Sequence, residues 1–121
     1  MARARQALAR SAPALARSAP IFAALGDETR LRLVARLCAG GPQSIAGLTT
    51  GMTVTRQAVT KHLRVLEEAG IARGVRRGRE SRWELAPGKL DVARRYLDHI
   101  AEQWTRRLEA LERHLDAMPD D

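Results

Sequence analysis

An apolar stripe along the C-terminal part of the chain constrains the fold more than any other sequence feature. Its members are Leu90, Ala93, Leu97, Ile100, Trp104, Leu108, Leu111, Leu115 and Met118. They follow one another at steps of three or four residues, which predicts one long helix with a nearly regular heptad seam. A chain of 121 residues cannot easily cover so long a stripe with its own small core.

A second copy of the chain can cover the stripe, and we therefore expect a homodimer. The predicted interface consists of Leu97, Ile100, Trp104, Leu108 and Leu111, with Trp104 as its central anchor. The alternative is that the first half of the helix packs within the chain while the second half frays. Both arrangements can hold in part.

Capping residues divide the rest of the chain into shorter elements. Asp27 is suited to the N-cap of one helix, Ser44 to that of a short second helix, and Thr55 to that of a third. Gly70 is placed to end the third helix as its C′ glycine. Pro87 is expected to break the chain before the long C-terminal helix, which would then run from about residue 90 to 118.

The helix after Asp27 supplies part of the predicted core. Its apolar stripe consists of Leu31, Val34 (or Leu33) and Leu37. Cys38, the only cysteine, is expected to pack in the core, because free cysteine usually behaves as a small hydrophobe. One cysteine excludes a disulfide framework within the chain.

The helix after Thr55 has one apolar and one polar face. Val59, Leu63 and Leu66 are spaced four and three residues apart, so they would be buried together. The other face carries amide, hydroxyl and cationic groups at Thr55, Arg56, Gln57, Thr60, Lys61 and Arg64. Such groups match base edges in the major groove of duplex DNA. An ordinary solvated face is the weaker interpretation, because no acid occurs on this helix before Glu67.

A basic hairpin follows this helix. Residues 71–75 and 81–85 predict two strands, with Trp83 turned inward. The expected DNA contacts of this wing are Arg76, Arg77, Arg79 and Arg82. Arginines placed along the DNA backbone or in a minor groove supply affinity more than sequence choice. The net charge of +7 fits a polyanionic partner, although biased codon usage also enriches arginine.

The chain therefore divides into three expected parts. Residues 1–19 form a basic arm rich in Ala, Arg, Ser and Pro, with "ALARSAP" twice in tandem. Pro13 and Pro20 should interrupt a helix there, so we expect a flexible arm with room for a few helical turns. Residues 20–88 would form the DNA-binding domain, and residues 89–121 the dimerisation helix and a short acidic tail.

Three sequence blocks carry a resemblance to a known family. They are "IFAALGDETRLRLVARL", "SIAGLTTGMTVTRQAVTKHLRVLEEAGI" and "RRGRESRWEL", in this order. With them the chain resembles the ArsR/SmtB-type winged helix-turn-helix repressors from about residue 20 to 115. The resemblance implies a mainly α fold with one β-hairpin, dimeric through its terminal helices. It also implies a repressor that binds duplex operator DNA until an effector releases it, and two-fold symmetry predicts an inverted-repeat operator.

The family's metal ligands are missing at the matching positions. The thiolate site requires cysteines within residues 44–46, which hold none. The zinc-type site requires an Asp-x-His pair, but Asp98 and His99 are adjacent. Its second pair is broken as well, because Ala117 stands three residues after His114. We therefore expect no metal and no cofactor, and the effector stays unknown.

Two other functions stay open at this stage. One is a protein-interaction module that does not read DNA sequence. The other is a metal- or thiol-responsive sensor of the same fold. Its thiol would be Cys38, and its metal site would be assembled from Cys38, His99 and His114 across a dimer. An enzyme is not expected, because no Ser/His/Asp, paired-carboxylate or phosphate-loop arrangement is found. No segment suits a membrane span, and the resemblance implies a bacterial cytoplasmic protein, located at the nucleoid when bound to DNA.

Overall fold

A computed structural model describes the backbone of residues 2–120 and the side chains of residues 12–120. Within that range the elements are α1 (Ala2–Leu25), α2 (Glu28–Gly40), α3 (Ile45–Thr49), α4 (Arg56–Glu68), β1 (Ala72–Arg77), β2 (Glu80–Leu85) and α5 (Pro87–Asp116). The predicted class, mainly α with one antiparallel hairpin, is confirmed. None of the helices described is long and apolar enough to cross a membrane.

The predicted caps fix the helix boundaries in the middle of the chain. The side chains of Asp27, Ser44 and Thr55 each accept a hydrogen bond from the backbone N–H three residues later, at 3.0, 3.2 and 3.1 Å. Each bond satisfies one of the N–H groups that a helix N-terminus leaves unpaired. Gly70 ends α4 with a φ of +77°, a conformation that favours glycine.

The hydrophobic core lies beneath α4 and extends to every other element. Its buried apolar residues are Ile21, Ala24, Leu33, Leu37, Leu48, Val59, Leu63, Leu66, Ile71, Ala72, Trp83 and Ala93. The prediction for α4 is confirmed, because Val59, Leu63 and Leu66 are fully buried. The inward orientation of Trp83 is confirmed as well.

Two predictions for α2 were wrong. Leu33 and Leu37 are buried, but Leu31 is 50% exposed and lies outside the core. Cys38 is also exposed. The buried residues of α2 are Leu33 and Leu37, and Val34 is half-buried against the core. Cys38 lies about 100° around the helix from Leu37, in the last turn of α2, where its side chain is exposed.

The expectation that Pro13 and Pro20 would interrupt the N-terminal helix was wrong, because α1 continues through both. Each proline removes one helical hydrogen bond, at a cost of about 3 kcal/mol. Burial of Ser18, Ile21 and Ala24 accompanies the continued helix, so tertiary packing overrides this local preference. The division of the chain after residue 19 stays a prediction.

The hairpin and α5 also differ in their boundaries from the sequence prediction. The strands reach closer to the turn, so that Arg77 pairs with Glu80 across a two-residue loop. Gly78 in that loop has a φ of +62°, which its lack of a Cβ permits. Pro87 does not break the chain but begins α5, because the first helical position needs no donor N–H.

Candidate nucleic-acid interface

Helix α4 is held by its own buried face, and the turn before it is held by Arg36 of α2. Its apolar face is buried in the core. Across the turn, Nη1 of Arg36 donates to the carbonyls of Leu48 and Thr50 at 2.8 and 2.6 Å. The guanidinium of Arg36 thereby satisfies the C-terminal end of α3, whose last carbonyls lack helical partners. The pair α3–α4 is therefore fixed as a helix-turn-helix unit on α2.

Four of the predicted reading residues lie free on the outer face of α4. Arg56, Gln57, Lys61 and Arg64 are exposed. None of the three cations among them forms an ion pair with any described residue. Their donor groups are therefore available to base edges and phosphates, as direct readout in a major groove requires.

The two threonines of this face are less free than the sequence predicted. The Thr55 side chain is the N-cap of α4 and accepts from the N–H of Ala58. The hydroxyl of Thr60 donates to the carbonyl of Arg56 at 2.9 Å, and the residue is half-buried. What remains available at Thr60 is a hydroxyl lone pair and a methyl group, which suits contact with a thymine methyl.

His62 joins α4 to the first turn of α2 through a contact with Arg30. The sequence analysis did not single out Arg30. The Nδ1 of His62 lies 3.2 Å from Nη1 of Arg30 and 3.8 Å from Oδ2 of Asp27. The hydrogen bond from the Arg30 backbone N–H lowers the pKa of Asp27, burial opposes this effect, and the positive charge of Arg30 reinforces it. The contacts of His62 with Arg30 and Asp27 thus fix α4 against α2 without involving the exposed residues of its outer face.

The arginines of the wing differ in their surroundings. Strand register places Arg77 and Arg82 on one face of the hairpin and Arg76 on the other, while Arg79 lies in the turn. Arg82 pairs with Glu80 at 3.0 Å. Among the described residues, Arg76, Arg77 and Arg79 have no such partner. These three guanidinium groups could therefore bind a phosphate without first breaking an ion pair.

The wing is fastened to the loop that precedes α3, which the sequence analysis missed. Gln43 and Trp83 exchange backbone hydrogen bonds of 3.0 and 2.8 Å. The Gln43 side chain in turn donates to the carbonyl of Arg36 at 2.7 Å. No local sequence pattern identifies this contact, because it joins backbones that are far apart in the chain. It holds the hairpin beside the helix-turn-helix unit.

The C-terminal stripe divides into a short buried part and a longer exposed part. Leu90 and Ala93 pack in the core of the chain, as the intrachain alternative predicted for the first half. The remaining members are all exposed: Leu97, Ile100, Trp104, Leu108, Leu111, Leu115 and Met118. Trp104 has the largest exposed fraction among them, 60%. The structure therefore leaves a continuous apolar face on α5 without a partner in the described part of the chain.

Among the described residues, no group of three or more His, Cys, Asp or Glu residues is placed to hold a metal ion. Cys38 is exposed on α2, whereas His99 and His114 lie on α5.

Comparison with known proteins shows where this arrangement recurs. A family model described as a helix-turn-helix domain matches residues 25–75. An HTH-type transcriptional regulator of Mycobacterium tuberculosis is 36% identical over 98 residues, which cover 81% of this chain and 88% of that protein.

Solved structures show the same fold. An ArsR-like transcriptional regulator from Rhodococcus sp. RHA1 is similar with a TM-score of 0.72 and 38% identity, over 85% of this chain and 96% of that one. The homodimeric winged helix-turn-helix DNA-binding domain of a possible ArsR-family regulator from Mycobacterium bovis has a TM-score of 0.57 and 25% identity. That similarity covers 78% of this chain and 86% of the other.

Proposed function

This chain belongs to the ArsR-type winged helix-turn-helix transcriptional regulators, and on that premise we propose that it binds an inverted-repeat operator as a homodimer and represses transcription. The observation that carries the proposal is the outer face of α4, where Arg56, Gln57, Lys61 and Arg64 are exposed beside a basic wing. Regulators of this kind are DNA-binding proteins and not enzymes.

The proposed reading surface is α4. Gln57 is suited to an adenine, and Arg56, Lys61 and Arg64 are suited to guanine or to a nearby phosphate. Thr60 would contact a thymine methyl. Thr55 would cap the N-terminus of α4 at the groove, where the N–H groups of the first turn favour a phosphate. These roles are supported by the exposure of Arg56, Gln57, Lys61 and Arg64. Arg56 and Gln57 also lie in the first turn of α4, and the N-terminal residues of a recognition helix contact the base edges.

The proposed clamp is the wing. Arg76, Arg77 and Arg79 would contact phosphates or a narrow minor groove, and Arg82 would do so only in competition with Glu80. Such contacts fix register and supply most of the salt-dependent affinity. The two sets of residues are thus expected to differ in kind: α4 selects the sequence and the wing supplies attraction.

The proposed dimer forms through the exposed face of α5. Its contact residues would be Leu97, Ile100, Trp104, Leu108 and Leu111. Exposing an apolar face of this length to water is unfavourable, and large exposed apolar patches mark interaction sites. The related domain from Mycobacterium bovis is homodimeric. Two-fold symmetry would place two copies of α4 on successive major grooves, and a dimer seated there would occlude the operator. Its place of action would be the bacterial nucleoid.

Selection of bound duplexes from a random pool, followed by titration across salt concentration, tests this function. We expect an inverted repeat whose half-sites are centred about 10 base pairs apart, or a multiple of that. Affinity for the selected duplex should fall steeply as salt rises. In a plot of the logarithm of the binding constant against the logarithm of the salt concentration, the slope should be about −1 for each phosphate contacted. A pool without an enriched repeat, bound with a flat salt dependence, would favour the interaction-module alternative instead.

A further inference from the structure

Gln43 connects the end of α2 to the wing through both its side chain and its backbone. Its Nε2 donates to the carbonyl of Arg36 at 2.7 Å and to that of Gly41 at 3.3 Å. Its backbone N–H donates to the carbonyl of Trp83 at 3.0 Å, and its own carbonyl accepts from the N–H of Trp83 at 2.8 Å. One half-buried residue thus holds the second strand of the wing, β2, against α2.

Gly40 provides the space that the Gln43 side chain occupies. A Cβ added at Gly40 would lie 2.5 Å from Nε2 of Gln43, well inside the contact distance of about 3.5 Å for non-bonded atoms. The φ of Gly40 is not positive, so its backbone conformation would accept an alanine. Gly47 also lies beside Gln43, but a Cβ there would be 3.5 Å from the nearest side-chain atom, Oγ of Ser44. Of these two glycines, only Gly40 is required by the position of the Gln43 side chain.

Arg36 connects this contact to the reading helix. Its backbone carbonyl accepts from Gln43, and its Nη1 donates to the carbonyls of Leu48 and Thr50 in the segment that leads to α4. The wing and α4 are the two elements of the proposed DNA surface, and both are thus attached to one residue of α2. Groups that must bind one partner together have to be held to within about 0.5 Å of the productive geometry.

We propose that Gln43 is a positioning residue for DNA binding, an inference that rests on the proposed function. Gln43 holds the wing at the distance from α4 at which Arg77 reaches the phosphates of the half-site that α4 reads. Without the side-chain hydrogen bonds of Gln43, the wing keeps its charge but samples several positions. Each wing contact then contributes less to affinity, because part of the interaction energy is lost to ordering the wing on binding.

Gly40→Ala tests this role without changing Gln43 itself or the net charge. Alanine is a better helix former than glycine, so the melting temperature of the free protein should stay the same or rise. The added methyl group displaces the Gln43 side chain, and affinity for the selected duplex should therefore fall about fivefold. Gly47→Ala is the matched control, because its methyl group meets only ordinary contacts, and it should leave affinity unchanged.

A thermodynamic cycle separates positioning of the wing from a general loss of structure. Gln43→Met keeps the length of the side chain and removes its donor N–H groups. In this background, Arg77→Ala should weaken binding by at most about half the factor that it costs in the parent, because the wing is no longer held in place. Gln57→Ala should cost the same factor in both backgrounds, since α4 keeps its buried face and its support from Arg36. An unchanged factor for Arg77→Ala, or an equal reduction for Gln57→Ala, would overturn the proposal.

Amide hydrogen exchange of the full chain tests the contact in the absence of DNA. Exchange of the Trp83 N–H, which donates to Gln43, should be at least about fivefold faster in Gly40→Ala and in Gln43→Met. The amides of Leu63 and Leu66 in α4 should stay as protected as in the parent. Unchanged exchange at Trp83 would overturn the proposal. Failure of the parent to bind any duplex would instead reject the proposed function, while the exchange rates would still report whether Gln43 holds the wing.

Discussion

The Nδ1 of His62 lies 3.2 Å from Nη1 of Arg30, and this contact joins α4 to the start of α2. The same guanidinium donates from Nε to the carbonyl of Ala24 and, at 3.5 Å, from Nη2 to that of Ala23. Arg30 therefore bridges three helices, since it also satisfies carbonyls at the end of α1. The orientation of α4 depends on this bridge as well as on its buried apolar face.

Replacing Arg30 with alanine should destabilise the fold, because it removes two partly buried hydrogen bonds and one exposed hydrogen bond from a charged donor. We expect a loss of about 1.5–3 kcal/mol in the free energy of unfolding, measured by urea titration. Arg32→Ala is the matched control. Its exposed pair with Glu28 should contribute less than about 1 kcal/mol. Equal losses in the two variants would contradict the bridging role.

The ionised cap at Asp27 should make stability depend on acid pH. The backbone hydrogen bond from Arg30 lowers the pKa of Asp27 in the folded state. A lowered folded pKa means that the stabilisation is complete above the unfolded pKa and is lost as pH falls through the folded value. Asp27→Asn keeps a capping oxygen but cannot ionise. Its unfolding free energy, measured between about pH 5 and pH 2, should therefore fall less steeply than that of the parent.

Features set by local chemistry were predictable from the sequence. Asp27, Ser44, Thr55 and Gly70 cap or end helices as expected, because a cap is a contact between residues a few positions apart. The buried face of α4 was predictable for a similar reason, since helical periodicity alone determines which residues share a face.

Features set by distant packing were not predictable in this way. The stripe of α2 was misassigned at Leu31 because periodicity gives the spacing of a face but not its angular limits. Helix α1 continues through Pro13 and Pro20, alongside packing that no local signal reveals. Arg30 resembles its neighbour Arg32 in sequence, and only the folded chain shows that one is a bridge and the other a surface residue.

The reading helix and the wing should respond differently to alanine. Gln57→Ala should cost about 1–3 kcal/mol at one base pair and relax the preference there. Arg77→Ala should weaken all duplexes alike and lower the salt slope by about one. Binding measured on selected and scrambled duplexes at several salt concentrations separates the two. Identical behaviour of Gln57→Ala and Arg77→Ala would reject this division.

Arg82→Ala should weaken DNA binding less than Arg77→Ala does, because Arg82 is already paired with Glu80.

Truncation of Trp104 should separate assembly from folding. The side chain is 60% exposed and lies beyond the part of α5 that packs in the core, so Trp104→Ala should leave the helical circular dichroism of the protein intact. As the proposed anchor of the dimer, the same change should lower the dimer fraction in sedimentation and weaken operator binding together. Glu109→Ala, an exposed change on the same helix, is the control and should alter neither. If Trp104→Ala sediments like the parent, the apolar face of α5 is not the dimer contact, and the symmetric reading of an inverted repeat loses its structural basis.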